Sequence, residues 1–147
     1  RLNRNNDGGT TRRTTDIFQL ATTVLFQNPV QNFALAPNNL EDVSPVCMDY
    51  MKTIPTTWDE TCFIDGYPGK YVVLARRHGG TWYVAAINAG KETLKLKLDL
   101  EMFAGKTVSL YKDDKKGAPQ LVPLKVKENG KVQLEILPQG GAVLVNK

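Results

Sequence analysis

The sequence predicts a mainly β fold, an antiparallel β-sandwich of seven to eight strands that is preceded by two helices. From Trp58 onward, apolar and polar residues alternate along short segments that are separated by turns roughly every 8–12 positions, the pattern of a sandwich or barrel. Before residue 58 the apolar residues recur at helical spacing instead. The chain has 147 residues, and its 41% hydrophobic content is enough for a packed core. We therefore expect a helical part at residues 1–57 and the sandwich at residues 58–147.

The first helix is expected to begin at Asp16, as the N-cap of a capping box that is completed by Gln19. Asn28-Pro29 should end it. Its apolar residues surround most of the helix: Ile17, Phe18, Leu20, Ala21, Val24, Leu25 and Phe26. Because such a helix needs cover on nearly all sides, we expect it to fold back onto the sandwich or to pair between chains.

The second helix is expected over about residues 39–52, with a possible restart at Ser44-Pro45 because proline is favoured in a first helical turn. One apolar stripe follows it: Val46, Cys47, Tyr50 and Met51. Residues 53–57 are expected to form a linker into the first strand.

The expected strands lie at 58–64, 71–77, 82–88, 93–100, 107–112, 121–127, 131–137 and 142–146. Turn residues predict one hairpin at His78-Gly79-Gly80-Thr81 and another at Glu128-Asn129-Gly130. Lysines that alternate with apolar residues indicate a solvated sheet face: Lys95, Lys97, Lys125, Lys127 and Lys131. The net charge of +4 therefore does not form a basic patch with stacking aromatics, and we expect no nucleic-acid partner.

No apolar run approaches the roughly 20 residues that span a bilayer, so we expect no membrane partner. The start at Arg1-Leu2-Asn3-Arg4 has no following apolar stretch, so no signal peptide is expected there. Cys47 and Cys62 lack metal-binding spacing, and we expect two buried free thiols, with a disulfide left open for an oxidising compartment.

No catalytic, cofactor-binding or metal-binding residue is expected in this chain. His78 is predicted to be a surface turn residue without a nucleophile-elbow serine or cysteine to act with. Asp59 and Glu60 are neighbours on a predicted strand, so their side chains should point to opposite faces and cannot flank one glycosidic bond. Asp113-Asp114 is predicted to be a solvated turn. The segment at residues 5–9 lacks the alternating acidic ligands of a calcium loop and is expected to be a flexible loop.

Aromatic residues are the remaining candidates for a site. Trp58, Tyr67, Trp82 and Tyr83 are candidate sugar-contacting or interface residues. Trp82 and Tyr83 are neighbours on one strand, so one ring should point inward and the other outward. Together with Tyr71 and Tyr111, the residues Trp58, Trp82 and Tyr83 could form a platform on which a sugar ring stacks, and core packing is the alternative explanation for the inward-pointing ring.

Several segments resemble glycoside hydrolase family 97. Residues 12–21 (RRTTDIFQLA) and 26–33 (FQNPVQNF) resemble the end of the catalytic barrel in that family. Residues 54–61 (IPTTWDET) resemble the junction into its C-terminal domain, and 65–77 (DGYPGKYVVLARR) with 81–84 (TWYV) resemble the opening hairpin of that domain. The resemblance covers essentially the whole chain, with its most particular motifs between residues 12 and 84.

The resemblance implies a non-catalytic part of an α-glucosidase or α-galactosidase. Family members combine a β-super-sandwich, a (β/α)8 barrel that holds calcium and the acidic catalytic residues, and a C-terminal sandwich. Their catalytic and calcium-binding residues precede the part that matches this chain, so the two helices would be the last elements of the barrel. We therefore expect the sandwich to brace the barrel and to support homo-oligomerisation, in a parent that is periplasmic or secreted. The alternative is a carbohydrate-binding module that uses exposed aromatics of the sandwich.

Overall fold

The computed structural model describes residues 12–33, 35, 37 and 40–146, and the predicted loop at residues 5–9 lies outside them. Two helices are followed by eight antiparallel strands, which confirms the predicted fold class. The helices are α1 (Asp16–Leu25) and α2 (Pro45–Thr53). The strands are β1 (Glu60–Tyr67), β2 (Tyr71–His78), β3 (Thr81–Asn88), β4 (Leu94–Asp99), β5 (Thr107–Asp113), β6 (Pro119–Lys125), β7 (Lys131–Ile136) and β8 (Gly141–Val145).

The strands form two sheets. The larger sheet has six strands in the order β1-β2-β3-β8-β5-β6, and the smaller one pairs β4 with β7. The hairpin predicted at residues 78–81 is confirmed, since β2 and β3 pair in register up to His78 and Thr81. The second predicted hairpin is wrong, because β6 pairs with β5 while β7 pairs with β4. The chain instead passes from the larger sheet to the smaller one at the turn that contains Gly130. The Gly130 carbonyl accepts a hydrogen bond from the Leu100 N–H, next to the end of β4.

The sandwich core lies between the two sheets. The smaller sheet contributes the alternating apolar residues of β4 and β7, while Lys95 and Lys97 between them are exposed as predicted. β3 and β8 contribute Val84, Ala86, Ala142 and Leu144, which are no more than 2% exposed. This face of the larger sheet therefore has the burial pattern of a sandwich interior.

The helices cover the opposite face of the larger sheet. Ile17, Leu20, Ala21 and Val24 of α1 pack with apolar side chains of β3 and β8: Tyr83, Ala85, Val143 and Val145. Both faces of these two central strands are thus buried, which explains why their sequences are apolar without interruption. The expectation that the first helix folds back onto the sandwich is confirmed.

The helix boundaries differ from those predicted. Thr15, not Asp16, is the N-cap of α1, and its hydroxyl accepts a hydrogen bond from the Phe18 N–H. Gln19 bonds to the Thr14 hydroxyl instead of completing a capping box. Phe26, which was predicted to lie in the helix, is just beyond its end and is 63% exposed, and Phe18 and Gln19 of α1 are half-buried.

The second helix is shorter than predicted. Residues 40–43 form a turn, and α2 begins at Pro45 after Ser44, as the predicted restart requires. Cys47 and Tyr50 are buried, whereas Val46 and Met51 of the predicted stripe are half-buried. Neither described helix is long and apolar enough to cross a membrane.

Candidate functional site

α1 is held to the sheet by polar contacts at both of its ends. At the start, the Thr15 hydroxyl donates to Asp113 Oδ2 at 2.9 Å, and the Gly141 N–H donates to the same oxygen at 3.1 Å. At the other end, the buried Arg76 guanidinium donates to the carbonyls of Phe26 (3.0 Å) and Leu25 (3.5 Å). A carboxyl group at the N-terminus and a cation at the C-terminus complement the helix dipole.

Asp113 corrects the prediction of a solvated turn. Asp113 is only 7% exposed, whereas the adjacent Asp114 is more exposed. Burial raises the pKa of Asp113 to about 6, against the hydrogen bonds from Gly141 and Thr15, which lower it. The sequence contains one indication that Asp113 is buried. Tyr111 and Asp113 are two residues apart on β5, so their side chains lie on the same face, and the helices cover that face.

The start of β8 lies unusually close to α1. A Cβ added to Gly141 would meet the Phe18 Cα at 2.8 Å and the Ile17 carbonyl oxygen at 2.9 Å. These are backbone atoms that cannot move aside without moving the helix. The seam between α1 and β8 therefore requires glycine at this position for steric reasons.

The two buried carboxyl groups of the described residues, Asp16 and Asp113, line neither of two apolar clefts on the surface, one beside α1 and one at β1. Asp113 is enclosed between helix and sheet, and Asp16 is ion-paired with Arg12. The described part of the chain also contains no cluster of three or more His, Cys, Asp or Glu residues that could hold a metal ion. The arrangement suits attachment of the helix more than acid–base chemistry, which needs two carboxyl groups facing one bond.

Asp59 and Glu60 differ from expectation, because both reach the same guanidinium. Asp59 Oδ2 lies 3.7 Å from Arg77 Nη1, and Glu60 Oε2 lies 3.1 Å from Arg77 Nε. β1 begins only at Glu60, so strand alternation does not constrain Asp59. His78 is exposed, as predicted for a turn residue, and its Nδ1 lies 2.9 Å from the Thr57 carbonyl oxygen.

The four candidate aromatics fall in three places. Trp58 and Tyr83 form an edge-to-face pair with ring centroids 5.3 Å apart on the helix-covered side of the sheet. Trp82 packs against the sandwich core on the other side, with Arg77 5.9 Å from its ring. Tyr67 is 58% exposed, and the Lys70 ammonium group lies 4.7 Å from its ring centroid. Of the four candidate aromatics, only Trp58 and Tyr83 are in contact with each other. A role of the four residues in sugar contact or in an interface stays a prediction.

The other two tyrosines of the possible platform have structural partners. The Tyr71 hydroxyl bonds to Asp65 Oδ1 at 3.3 Å. Tyr111 is buried and packs edge to face on Tyr50, with ring centroids 5.0 Å apart.

The two cysteines are free. Cys47 belongs to α2 and is buried in the apolar cluster between the helices and the sheet. Burial raises the pKa of its thiol to about 12, which makes it a poor nucleophile. The prediction of a buried thiol is wrong for Cys62, which is only half-buried and packs on the sandwich core, across the sheet from Cys47.

The structure also has two exposed apolar regions, and of the residues described next only Tyr67 was among the predicted candidate contact residues. One lies beside α1, where Phe26 (63% exposed) and Val30 (68% exposed) line a groove of about 510 Å³. The other lies at the outer edge of β1, where Phe63 (67% exposed) and Tyr67 border a cleft of about 360 Å³. Exposed apolar clusters of this kind are typical of interaction surfaces.

A family model described as "Glycosyl-hydrolase 97 C-terminal, oligomerisation" matches residues 57–146. Among curated proteins, a retaining alpha-galactosidase of Bacteroides thetaiotaomicron is 31% identical over 133 residues, which cover 86% of this chain and 20% of that protein. A probable retaining alpha-galactosidase of Streptomyces bingchenggensis is 35% identical over 75 residues, 51% of this chain and 12% of that protein. The chain thus spans a fifth or less of the length of these curated relatives.

Two solved structures show the same fold. A beta-arabinopyranosidase is 82% identical with a TM-score of 0.93, over 99% of this chain and 23% of that one. This similarity includes the helices as well as the sandwich, so the helical layer has the same placement there. A glycoside hydrolase family 97 enzyme of Pseudoalteromonas sp. strain K8, in complex with panose, is 24% identical with a TM-score of 0.76 over 90% of this chain and 22% of that one. At that identity the similarity supports the fold alone.

Proposed function

The chain belongs to glycoside hydrolase family 97, as its C-terminal domain, and we propose that it is a non-catalytic part that braces a catalytic barrel and joins subunits. The observation that carries this proposal is the attachment of α1 to the sheet at both ends. Asp113 and Arg76 fix the helix ends, while the groove beside the helix leaves Phe26 and Val30 exposed. A helix that is fixed at both ends, with exposed apolar residues beside it, offers a rigid surface on which the catalytic barrel can pack.

The parent enzyme is proposed to hydrolyse β-arabinopyranosides. Support comes from the 82% identity to a beta-arabinopyranosidase, although the match covers only 23% of that chain. The galactosidase relatives are chemically compatible with this substrate, because a β-L-arabinopyranose has the ring configuration of an α-D-galactopyranose without its C6 group. Their description as retaining enzymes supports retention of configuration in the parent. Calcium in the parent barrel and a periplasmic or secreted location are parts of the same proposal, by family resemblance.

The brace is tested in the full-length polypeptide by placing a charge on its proposed contact surface. Val30→Asp should lower the melting temperature of the enzyme by several degrees, since a buried apolar side chain stabilises by roughly 1.5–3 kcal/mol and a buried unpaired charge adds a further cost. Leu121→Asp, at an exposed apolar residue of β6, is the matched control and should change little. Equal melting temperatures for both variants would contradict the brace.

The absence of catalysis is tested on the 147-residue chain itself. We expect no turnover of p-nitrophenyl β-L-arabinopyranoside or α-D-galactopyranoside, because the described carboxylates provide no acid pair. Turnover that survives repurification, and that is lost on substitution of Asp113, would refute the non-catalytic assignment.

A carbohydrate-binding role is the second candidate, favoured by the exposed rings of Phe63 and Tyr67 beside a cleft. Calorimetric titration with arabinopyranosides, galactosides and maltooligosaccharides distinguishes it. Heat of binding at millimolar sugar that is lost in Tyr67→Ala would favour the module, and no heat at that concentration would exclude it.

A further inference from the structure

Four lysines from three strands meet at one open side of the sandwich. They line a cleft of about 620 Å³ between β6 and the smaller sheet, the lysine cleft: Lys97 of β4, Lys125 at the end of β6, Lys127 just after it and Lys131 of β7. Asp99 is the one acidic residue among the described residues that line this cleft. The four lysines are exposed, as predicted, but the alternation in the sequence did not indicate that the fold brings them together.

The positive charge of the lysine cleft is compensated only in part. Within residues 40–146, none of its four lysines forms an ion pair, whereas Lys95, on the same sheet but outside the cleft, pairs with Glu135 at 3.4 Å. The carboxylate of the nearby Glu128 lies over Gly105 and does not line the cleft. Four ammonium groups therefore face the single carboxylate of Asp99.

The lysines are close enough to repel one another. β7 pairs Lys131 with the residue two positions beyond Lys97 on β4, so these two lysines are diagonal neighbours about 7–8 Å apart. This separation is within the Debye length of about 8 Å at physiological ionic strength, so salt screens the repulsion only in part. Lys125 and Lys127 are exposed on either side of the buried Val126. An anion bound between these ammonium groups would relieve their repulsion.

The floor of the lysine cleft is apolar and its walls carry amide groups. Leu98, Leu124 and Val132 form the floor, and Asn129 and Gln133 lie among the lysines. Charges of one sign beside low-dielectric walls concentrate the electric field and attract counter-ions from solution. A few polar groups around an apolar floor are also typical of a ligand site. The cleft therefore suits an anion that has hydroxyl groups and an apolar face of its own.

A chain of acidic sugars matches these features better than other anionic polymers do. Its carboxylates pair with ammonium groups, its hydroxyl groups bond to amides, and the C–H face of a sugar ring packs on an aliphatic floor. No aromatic residue is among the described residues that line the cleft, so nucleic-acid bases would have no ring on which to stack. A lipid bilayer is flat and would meet only the rim of a concave site.

We propose that the lysine cleft binds the carboxylate groups of an acidic polysaccharide that contains uronic acid residues. This inference rests on the proposed glycosidase parent, and it adds the class of polymer to which that enzyme attaches. α1, the proposed contact of the barrel, covers the face of the larger sheet that points away from the smaller sheet. The polymer is thus held at a site that differs from the barrel contact, and from the cleft at β1 in its dependence on charge.

Calorimetric titration of the full-length polypeptide with short galacturonate oligomers, at low and at physiological salt, tests the proposal. The double variant Lys125→Gln, Lys127→Gln should raise the dissociation constant about 3- to 10-fold at low salt, because each exposed ion pair contributes little by itself. Asp99→Asn should lower that constant, because it removes the one negative charge from the cleft. Binding to the wild type should weaken as the salt concentration rises, because salt screens exposed charges.

The double variant Lys115→Gln, Lys116→Gln is the matched control. It removes the same charge from two exposed lysines in the turn before β6, at the opposite end of that strand from Lys125. It should leave the dissociation constant unchanged. Equal losses in the two double variants would mean that the oligomer responds to net charge alone, which overturns the assignment to the cleft. Circular dichroism melts that coincide with the wild type show that each variant is folded.

Parallel titrations identify the class of ligand. Poly-L-glutamate and phosphatidylglycerol vesicles carry negative charge without sugar, and neutral galactose oligomers carry sugar without charge. All three should bind more weakly than the galacturonate oligomers. Tighter binding of polyglutamate or of vesicles, lost in Lys125→Gln, Lys127→Gln, would replace the polysaccharide by an acidic protein or a membrane and overturn the proposal. Equal binding of the neutral oligomers, or no binding of galacturonate at millimolar concentration, would overturn it as well.

Turnover of p-nitrophenyl β-L-arabinopyranoside by the same preparation separates this inference from the function on which it rests. An enzyme that cleaves this substrate but does not bind galacturonate oligomers would overturn the cleft and leave the proposed function standing. An enzyme that binds the oligomers through these lysines but does not cleave the substrate would support the cleft and contradict the proposed substrate.

Discussion

Folding makes the carboxyl group of Asp113 harder to ionise, so the contribution of Asp113 to the free energy of unfolding should depend on pH. Burial raises its pKa from 3.8 to about 6, with smaller contributions in the same direction from Asp16 and Asp114. The hydrogen bonds from Gly141 and Thr15 favour the charged form and oppose this change only in part. The folded chain therefore binds a proton at Asp113 more tightly than the unfolded chain does.

The sign and size follow from proton linkage. The stabilisation from this proton is fully present below about pH 4 and is lost as the pH rises through about 6. The two pKa values differ by about two units, and each unit corresponds to about 1.4 kcal/mol. The contribution of Asp113 to the free energy of unfolding should therefore fall by about 3 kcal/mol between pH 4 and pH 7.5.

Urea unfolding of the wild type and of Asp113→Asn across this pH range measures the effect. Titrating groups that do not interact with Asp113 are common to both proteins, so they cancel in the difference between the two unfolding free energies. We expect the advantage of the wild type over Asp113→Asn to shrink by about 3 kcal/mol as the pH rises from 4 to 7.5.

Asp114→Asn is the matched control, because hydrogen bonds from the Ala118 and Lys116 N–H groups lower the pKa of the exposed Asp114. Its effect should have the opposite sign, with the wild-type advantage lost as the pH falls. A wild-type advantage over Asp113→Asn that stays constant with pH would mean that folding leaves the pKa of Asp113 unchanged. An advantage that grows with pH would mean that the fold stabilises the carboxylate anion, and either result would refute the reasoning.

Three further changes test the seam between α1 and the sheet by urea unfolding at pH 5. Gly141→Ala should lower the free energy of unfolding by roughly 1–3 kcal/mol, because the added methyl group meets the helix backbone. Gly80→Ala is the control and should change little, because no atom lies within 4 Å of the added methyl group. Equal effects of the two substitutions would contradict the close approach of α1 and β8. Leu20→Ala should cost about 2–5 kcal/mol and Phe26→Ala, at a 63% exposed residue, less than about 1, and the reverse order would place the wrong face of α1 on the sheet. Thr15→Ala should cost about 1–2 kcal/mol because it removes the N-cap and one bond to the sheet, and a neutral result would show that the cap contributes nothing.

The strand pattern was predictable because period-two alternation follows from one buried face. β4 and β7 show this most clearly, with leucine and valine inward and lysine outward. The pairing of strands was less predictable. Gly130 gives a turn with positive φ, as a hairpin requires, but a turn does not determine whether the following strand stays in the same sheet. The contact of Leu100 with Gly130, which places β7 beside β4, joins residues 30 positions apart.

The polar contacts of α1 were not predictable for a related reason. Asp113 and Arg76 look like ordinary surface charges in the sequence, since each lies near the end of an amphipathic segment beside another charge. Their burial depends on groups that lie far away in the sequence. Arg76 binds carbonyl groups 50 and 51 residues earlier, and Asp113 binds a hydroxyl group 98 residues earlier. The apolar character of α1 indicated that it needs cover, but it did not indicate which groups of the sheet would meet its ends.

The contacts between α1 and the sheet also concern the domain boundary predicted at residue 57, where the spacing of apolar residues changes from helical to strand-like. That boundary stays a prediction. Residues of α1 and of the sheet share one apolar cluster, in which Tyr83 and Val143 lie beneath the helix. A chain shortened to residues 58–147 would expose these side chains and leave Arg76 and Asp113 without the groups that they bind. The change of period therefore marks a change of secondary structure and not the limit of a core. A barrel that rests on α1 would therefore rest on a helix that shares its core with the larger sheet.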